Sequence, residues 1–210
     1  MKTINTISKV ILGIIFIFSG FVKGVDPLGT TYKFVDYFVA FGFDFMQPLA
    51  LPLAFLLNAI EFLIGISLLF NAKIKYSSWA VLFFMSFFTL LTFFLAIYNP
   101  VSDCGCFGDA IIMTNWQTFF KNIIIMIITI VVFVNRNKYE EKISKSVQLG
   151  VLGVGIIFII GVSSYCYKHL PIVDFRPYKI GTDIQEKMII PVDAPQAEYK
   201  TILEYKKNNE

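Results

Sequence analysis

Five long apolar runs dominate the sequence and limit the folds that the chain can adopt. They cover residues 8–24, 48–70, 77–98, 117–134 and 148–166. Each run comes close to the roughly 20 apolar residues that a helix needs to cross a hydrocarbon core about 30 Å thick. Hydrophobic residues make up 56% of the chain, compared with roughly 45–50% in soluble domains. The sequence therefore predicts an all-α membrane protein with five transmembrane helices.

Basic residues cluster at the start of the first run and in alternate connections between the runs. They are Lys2, Lys9, Lys73, Lys75, Arg136, Lys138, Lys142 and Lys145. Loop 99–116 has no Lys or Arg, and loop 25–47 has one Lys against three Asp. By the positive-inside rule, the N-terminus lies in the cytoplasm and both of these loops lie outside. In a bacterial inner membrane the outer side is the periplasm. The basic residues are thus topology signals, and they do not indicate a nucleic-acid site.

The runs divide the chain into a bundle and an added helix. The first run is predicted to remain as a helix, because its end lacks the small-x-small site at which a signal peptide is cleaved. Residues 1–135 then form a four-helix bundle that contacts the lipid bilayer. A basic cytoplasmic loop, 136–147, leads to the fifth helix at 148–166. Residues 167–210 are predicted to be a periplasmic tail, either extended or the start of a soluble domain.

The fifth helix is rich in glycine. Its small residues are Gly150, Gly153, Gly155 and Gly161. Such residues allow transmembrane helices to approach closely. The pattern predicts packing either against the bundle or against a second copy of the chain, in a homo-oligomer.

Loop 25–47 contains a second kind of pattern. It opens with the turn signal Asp26-Pro27-Leu28-Gly29, after which aromatic and aliphatic residues recur with helical spacing between charged ones. This predicts an amphipathic helix in the outer membrane interface. The helix is either a cap on the bundle or a lid over an outward-facing site.

Polar residues also occur inside the apolar runs. Asn58 and Glu61 are three residues apart, on one face of the second helix. A carboxylate at this depth is costly unless it is paired, so Glu61 should face the bundle interior, in a hydrogen-bonded clamp with Asn58 or in a proton-handling site. Ser19 and Lys23 form another pair, and Lys23 is expected to reach the interface or Asp26 rather than Glu61.

All three cysteines lie on the predicted outer side. Gly105, between Cys104 and Cys106, makes a strained and labile bridge between them feasible, and labile bridges are typical of exchange catalysts. One interpretation is redox exchange by this pair, with Cys166 as a resolving thiol. The others are a permanent disulfide from Cys166 to the loop, or a zinc site in which His169 completes a Cys3His set.

Three stretches carry a recognisable pattern. They are the end of the first helix, FSGFVKGVDPLGT, the polar second helix, NAIEFLIGISLL, and the outer loop with the helix after it, CGCFGDAIIMTNWQTFFKN. Together they resemble the DoxX-like superfamily, and specifically its MauE branch, over most of residues 1–180. The resemblance implies a DoxX-like four-helix bundle with an added fifth helix. It also implies that Cys104 and Cys106 are the family's loop thiols, and that Lys23 and Glu61 are its recurrent polar positions.

The resemblance implies a function as well. MauE-type proteins are associated with methylamine utilisation and with disulfide formation in the periplasm, and DoxX relatives with sulfur redox and quinone-level chemistry. The expected activity is thiol–disulfide exchange with a periplasmic thioredoxin-like or substrate protein, with a membrane quinone as cofactor. One alternative is a non-catalytic scaffold with a structural disulfide. Another is a small-molecule or proton transporter that uses Asn58 and Glu61.

Overall fold

The computed structural model describes residues 2–139, 143–176 and 179–187, and within these ranges the chain is helical, without β-strands. The α-helices are α1 (Lys2–Val25), α2 (Pro27–Ala40), α3 (Ala50–Phe70), α4 (Ile74–Tyr98), α5 (Asn115–Val134), α6 (Lys145–Lys168) and α7 (Ile184–Lys187). Short 3-10 turns cover Asp44–Leu49, Gly108–Ala110 and Arg136–Lys138.

Five of these helices, α1, α3, α4, α5 and α6, are long and apolar enough to cross a membrane. They coincide with the five apolar runs of the sequence, so the prediction of an all-helical membrane protein is confirmed. Their outer faces carry large apolar side chains such as Phe83 and Ile157, which are 76% and 75% exposed and suit contact with lipid tails. The protein is therefore a multi-pass membrane protein.

The predicted helix in loop 25–47 is present as α2. Pro27 occupies its first turn, where a missing N–H costs nothing. The side chain of Asp26 caps the helix, because its Oδ1 accepts a hydrogen bond of 2.9 Å from the Gly29 N–H. At the start of α5, Thr114 and Gln117 form a reciprocal capping box. These caps fix the helix ends that border the cysteine loop, residues 99–116.

The backbones of α1 and α3 pack in direct contact. A Cβ atom on Gly20 would lie 2.6 Å from the Phe62 nitrogen, and one on Gly65 would lie 2.6 Å from the Ile17 nitrogen. Only glycine fits at such positions, as is usual where membrane helices cross closely. This contact brings the polar side chains of α1 against those of α3.

The glycines of α6 differ from one another in their surroundings. Gly155 faces Ile66 and Leu63 of α3, and a Cβ atom there would lie 2.8 Å from Ile66 Cδ1. By contrast, a Cβ atom on Gly150, Gly153 or Gly161 would meet no atom within 4 Å. Packing of α6 against the bundle therefore uses one glycine of the four. Association of two chains through α6 stays a prediction.

The apolar core of the bundle lies beside the N-terminal two thirds of α1. The buried core cluster consists of Leu12, Phe16, Ile64, Leu68, Ile74, Val81, Met85, Ile125 and Val132. Helices α1, α3, α4 and α5 all contribute to this cluster, and their packing there fixes their relative positions.

The chain divides into a compact unit of residues 1–176 and a second unit of residues 177–210. The first unit contains the five long helices and the three cysteines. In the second, the described part includes the short helix α7. The alternating patch at 198–205, on which part of the tail prediction rests, lies outside the described residues.

Candidate redox site

Cys104 and Cys106 lie side by side at the tip of the cysteine loop. Their Sγ atoms are 2.8 Å apart, and both thiols are free. A disulfide is about 2.0 Å long, so a shift of under about 1 Å would bring the two sulfurs to bonding distance. Gly105 between them has a φ of +65°, in the region that favours glycine, and a Cβ atom there would lie 2.9 Å from Lys33 Cγ. The glycine thus makes this close approach of two cysteines possible.

Helix α2 covers one side of the cysteine pair. The Tyr37 hydroxyl donates a hydrogen bond of 2.9 Å to the Cys104 carbonyl. Lys33 forms a salt bridge of 2.8 Å with Asp103, whose other oxygen accepts the Gly105 N–H. Cys104 is only 7% exposed as a result. The position of α2 fits both a cap and a lid.

A buried ion pair between α1 and α3 lies next to the cysteines. Lys23 Nζ donates to Glu61 Oε1, and both side chains are about 5% exposed. Ser19 Oγ is 2.8 Å from Glu61 Oε2 and 2.8 Å from the Cys106 carbonyl oxygen. The expectation that Lys23 reaches the interface or Asp26 is wrong, because the close α1–α3 contact turns the lysine toward α3. We call Cys104, Cys106, Ser19, Lys23 and Glu61 the dithiol site.

Asn58 has a different role from the predicted clamp with Glu61. Asn58 precedes Glu61 by about one turn of α3. Its Nδ2 donates a hydrogen bond of 2.9 Å to the backbone carbonyl of Lys23. Its Oδ1 is buried without a hydrogen-bond partner among the described residues. Asn58 therefore holds the backbone of α1, while Glu61 bonds to the side chains of Ser19 and Lys23.

The two thiols have opposite acidities. The hydrogen bond from the Cys104 thiol, followed by the charges of Lys121 and Lys23, lowers the pKa of Cys106 to about 6 against the effects of burial and of Glu61. The pKa of Cys104 is raised well above its usual value by that same hydrogen bond and by burial. Cys106 is thus the thiolate of the pair near neutral pH, and the thiolate is the reactive form.

Lys121 borders the same small cavity as the dithiol site, and the sequence interpretation missed it. It lies on α5, and its Nζ is 4.4 Å from the centre of the Phe107 ring in the cysteine loop. A charged residue inside an apolar run marks a functional position by default, and this rule applied to the run 117–134 would have found it.

Cys106 borders two cavities. A small cavity of about 40 Å³ also touches Ser19, Lys23 and Glu61, together with Lys121. An aromatic cavity of about 270 Å³ lies between α2, α3 and α4. Its walls include both cysteines, Tyr37 and the phenylalanines Phe34, Phe38, Phe41, Phe43, Phe87 and Phe88. Cys106 therefore borders both the small cavity, which the Lys23–Glu61 ion pair also lines, and the larger aromatic cavity.

Cys166 and His169 stand apart from the loop pair in their described contacts. Cys166 is 4% exposed near the end of α6 and borders neither cavity. The exposed His169 ring is bonded to the Tyr165 carbonyl of its own helix. Among the described residues, no three His, Cys, Asp or Glu side chains come together to hold a metal ion. The Cys3His interpretation is therefore wrong, and a resolving role for Cys166 stays a prediction.

The fold and the site define a class: a multi-pass helical membrane protein with a cysteine pair above a buried ion pair. The family model of the methylamine utilisation protein MauE matches residues 1–135, and the chain belongs to that family. This match covers α1 to α5 and includes the whole dithiol site. Comparisons with curated proteins and with solved structures gave no match.

Proposed function

We propose that the protein is a membrane thiol–disulfide oxidoreductase whose exchanging pair is Cys104 and Cys106. The observation that carries the proposal is the 2.8 Å separation of two free thiols of opposite acidity. A low-pKa thiol that is partly accessible, next to a resolving thiol, is the usual arrangement of exchange catalysts. Membership of the MauE family adds the context of methylamine utilisation.

The exchange balances without a further reactant. A thiolate of the partner protein attacks Cys106 Sγ of the oxidised pair, the Cys104–Cys106 bond breaks, and Cys104 leaves as a thiolate that takes up a proton. The second partner thiol, as a thiolate, then attacks the mixed disulfide and expels Cys106 as a thiolate. The partner gains a disulfide and the site is reduced by two electrons. Cys106 is assigned the mixed disulfide because Cys104 is the more deeply buried cysteine.

The aromatic cavity supports a quinone as the electron acceptor. Its volume of about 270 Å³ is near the lower end for small-molecule sites, and its apolar aromatic walls suit a planar ring. Lys33 and Lys23 border it and offer hydrogen-bond donors to a carbonyl oxygen. A bound quinone would supply an acceptor for two electrons and two protons.

The orientation follows from the charge distribution. We place the N-terminus in the cytoplasm and the cysteine loop and the tail in the periplasm of a bacterial inner membrane. Disulfides persist in that compartment. The partner would then be a periplasmic thioredoxin-like or substrate protein.

Trapping a mixed disulfide tests the proposal. At pH 7 we expect full-length protein with Cys104→Ser to form a stable adduct with oxidised glutathione at Cys106. Protein with Cys106→Ser should react at least about tenfold more slowly, because its remaining loop thiol is protonated. The adducts are read by peptide mass spectrometry.

The matched control is Cys166→Ser, which retains the loop pair. If Cys104 resolves the adduct, this variant forms the Cys104–Cys106 disulfide without accumulating adduct. Accumulation would instead assign resolution to Cys166. Failure of both loop thiols to react, with a Cys166 disulfide that resists mild reductant, would favour the scaffold.

A further inference from the structure

The Ser19 hydroxyl lies between two hydrogen-bond acceptors. It is 2.8 Å from a Glu61 carboxylate oxygen and 2.8 Å from the Cys106 carbonyl oxygen. A hydroxyl carries one hydrogen and can donate fully to one acceptor at a time. When Glu61 is ionised, Ser19 can donate to it, and when Glu61 takes up a proton it can donate to Ser19, which can then donate fully to the Cys106 carbonyl. Ser19 therefore links the protonation of Glu61 to the cysteine loop.

The small cavity provides a path between Cys106 and Glu61. Both residues border it, and its volume of about 40 Å³ has room for water, for which Ser19, Lys23 and Lys121 provide polar partners among largely apolar walls. The charged and titratable groups that face Cys106 come from all the surrounding elements. They are Lys23 on α1, Lys33 and Tyr37 on α2, Glu61 on α3, Lys121 on α5, and Asp103 and Cys104 in the loop.

Charge conservation favours a transfer within the site. Sending the Cys106 proton to bulk water would leave an extra negative charge in a largely buried region, and uncompensated buried charge is costly. Moving the proton to Glu61 keeps the total charge constant. After this transfer, Glu61 is neutral and Cys106 carries the negative charge. Lys23 borders the small cavity together with both residues, so its positive charge still lies near a negative one.

We propose that Glu61 is the general base that activates Cys106, an inference that rests on the proposed thiol–disulfide exchange. The S–H bond of Cys106 breaks, an O–H bond forms on Glu61, and the electron pair stays on sulfur. Ser19 is a positioning residue, since its hydroxyl holds the protonated carboxyl group and the Cys106 carbonyl together. When the thiolate is consumed, by attack on a partner disulfide or by reoxidation of the pair, Glu61 releases its proton to water in the small cavity.

The pH profile of Cys106 alkylation in the reduced full-length protein tests this step. Two groups that share one proton titrate in two macroscopic steps. We expect the alkylation rate of the wild-type chain to rise in two steps with a plateau between them, because transfer within the site does not depend on pH. With Glu61→Gln it should rise in one step, about tenfold per pH unit below the midpoint, because the proton then goes to solvent. A single step in both proteins would overturn the proposal.

Infrared spectroscopy gives a second readout on the same reduced samples. At the plateau pH, the wild-type chain should show the C=O stretching band of a protonated carboxyl group that the Glu61→Gln variant lacks. The matched control is Asp36→Asn, which removes an exposed carboxylate on α2 and should leave the band unchanged. Absence of the band in the wild type would also overturn the proposal.

Ser19 variants keep the test decisive if Glu61→Gln does not fold. Ser19→Ala should shift the carboxyl band, because the acid loses its acceptor, and Ser19→Thr should restore it. Neither readout requires redox cycling. A reduced protein that shows the plateau and the band but forms no mixed disulfide would contradict the exchange function alone.

Discussion

Two regions of the bundle bury polar side chains in different ways. In the seam between α4 and α5, Thr92 and Thr129 donate hydrogen bonds of 2.8 Å to carbonyls one turn earlier in their own helices, and Asn122 donates to Thr92. In the dithiol site, Lys23 and Glu61 form a salt bridge across two helices beside a free cysteine. Neutral groups bonded within a helix are compatible with structure alone. A buried ion pair beside a free cysteine supports the proposed site.

The largest expected effect comes from breaking the ion pair. Lys23→Met leaves Glu61 buried without its cation, which should cost about 3–5 kcal/mol of stability. Thermal unfolding of the protein in detergent micelles measures the loss. The double variant Lys23→Met with Glu61→Gln should recover most of it, because no unpaired charge remains. Equal destabilisation of the single and double variants would show that the lysine acts through packing instead.

A smaller effect is expected from Lys121→Met. Loss of this cation should raise the pKa of Cys106 above about 6, because Lys121 is one of the charges that lower it. The thiolate forms above the pKa, so alkylation should slow several-fold between pH 6 and 7 and recover at higher pH. An unchanged pH profile of Cys106 alkylation would remove Lys121 from the site.

The smallest effect is expected in the α4–α5 seam. Thr129→Val on α5 deletes a hydroxyl that is bonded to the Ile125 carbonyl, and it should cost under about 1 kcal/mol. Thermal unfolding in detergent micelles measures this loss. The pH profile of Cys106 alkylation in the variant should match that of the wild-type protein. A loss as large as that of Lys23→Met would abolish the distinction between the two regions.

The helices were predictable from sequence, whereas the contacts within the site were only partly so. Hydropathy and length locate the membrane-spanning helices, because a bilayer imposes both. The start of α2 is located by the helix-capping residue Asp26 and by Pro27 in the first turn. The partner of Lys23 was not predictable, because it depends on the rotation of α1 against α3. That rotation is set by close contacts at Gly20 and Gly65. The sequence pattern favours close small-residue contacts in the fifth helix, whereas the tightest glycine contacts with another helix's backbone among the described residues lie between the first and the second apolar runs.

The position of Cys106 on two cavities has a consequence for inhibition. A hydrophobic compound that fills the aromatic cavity would approach the sulfur from the side of α2 and α4. The small cavity with Glu61 and Lys23 would remain open to protons behind it. Under the proposed function, blockade of electron transfer and loss of thiol acidity would therefore be separable failures. A chemical inhibitor and a point substitution can each produce one of them without the other.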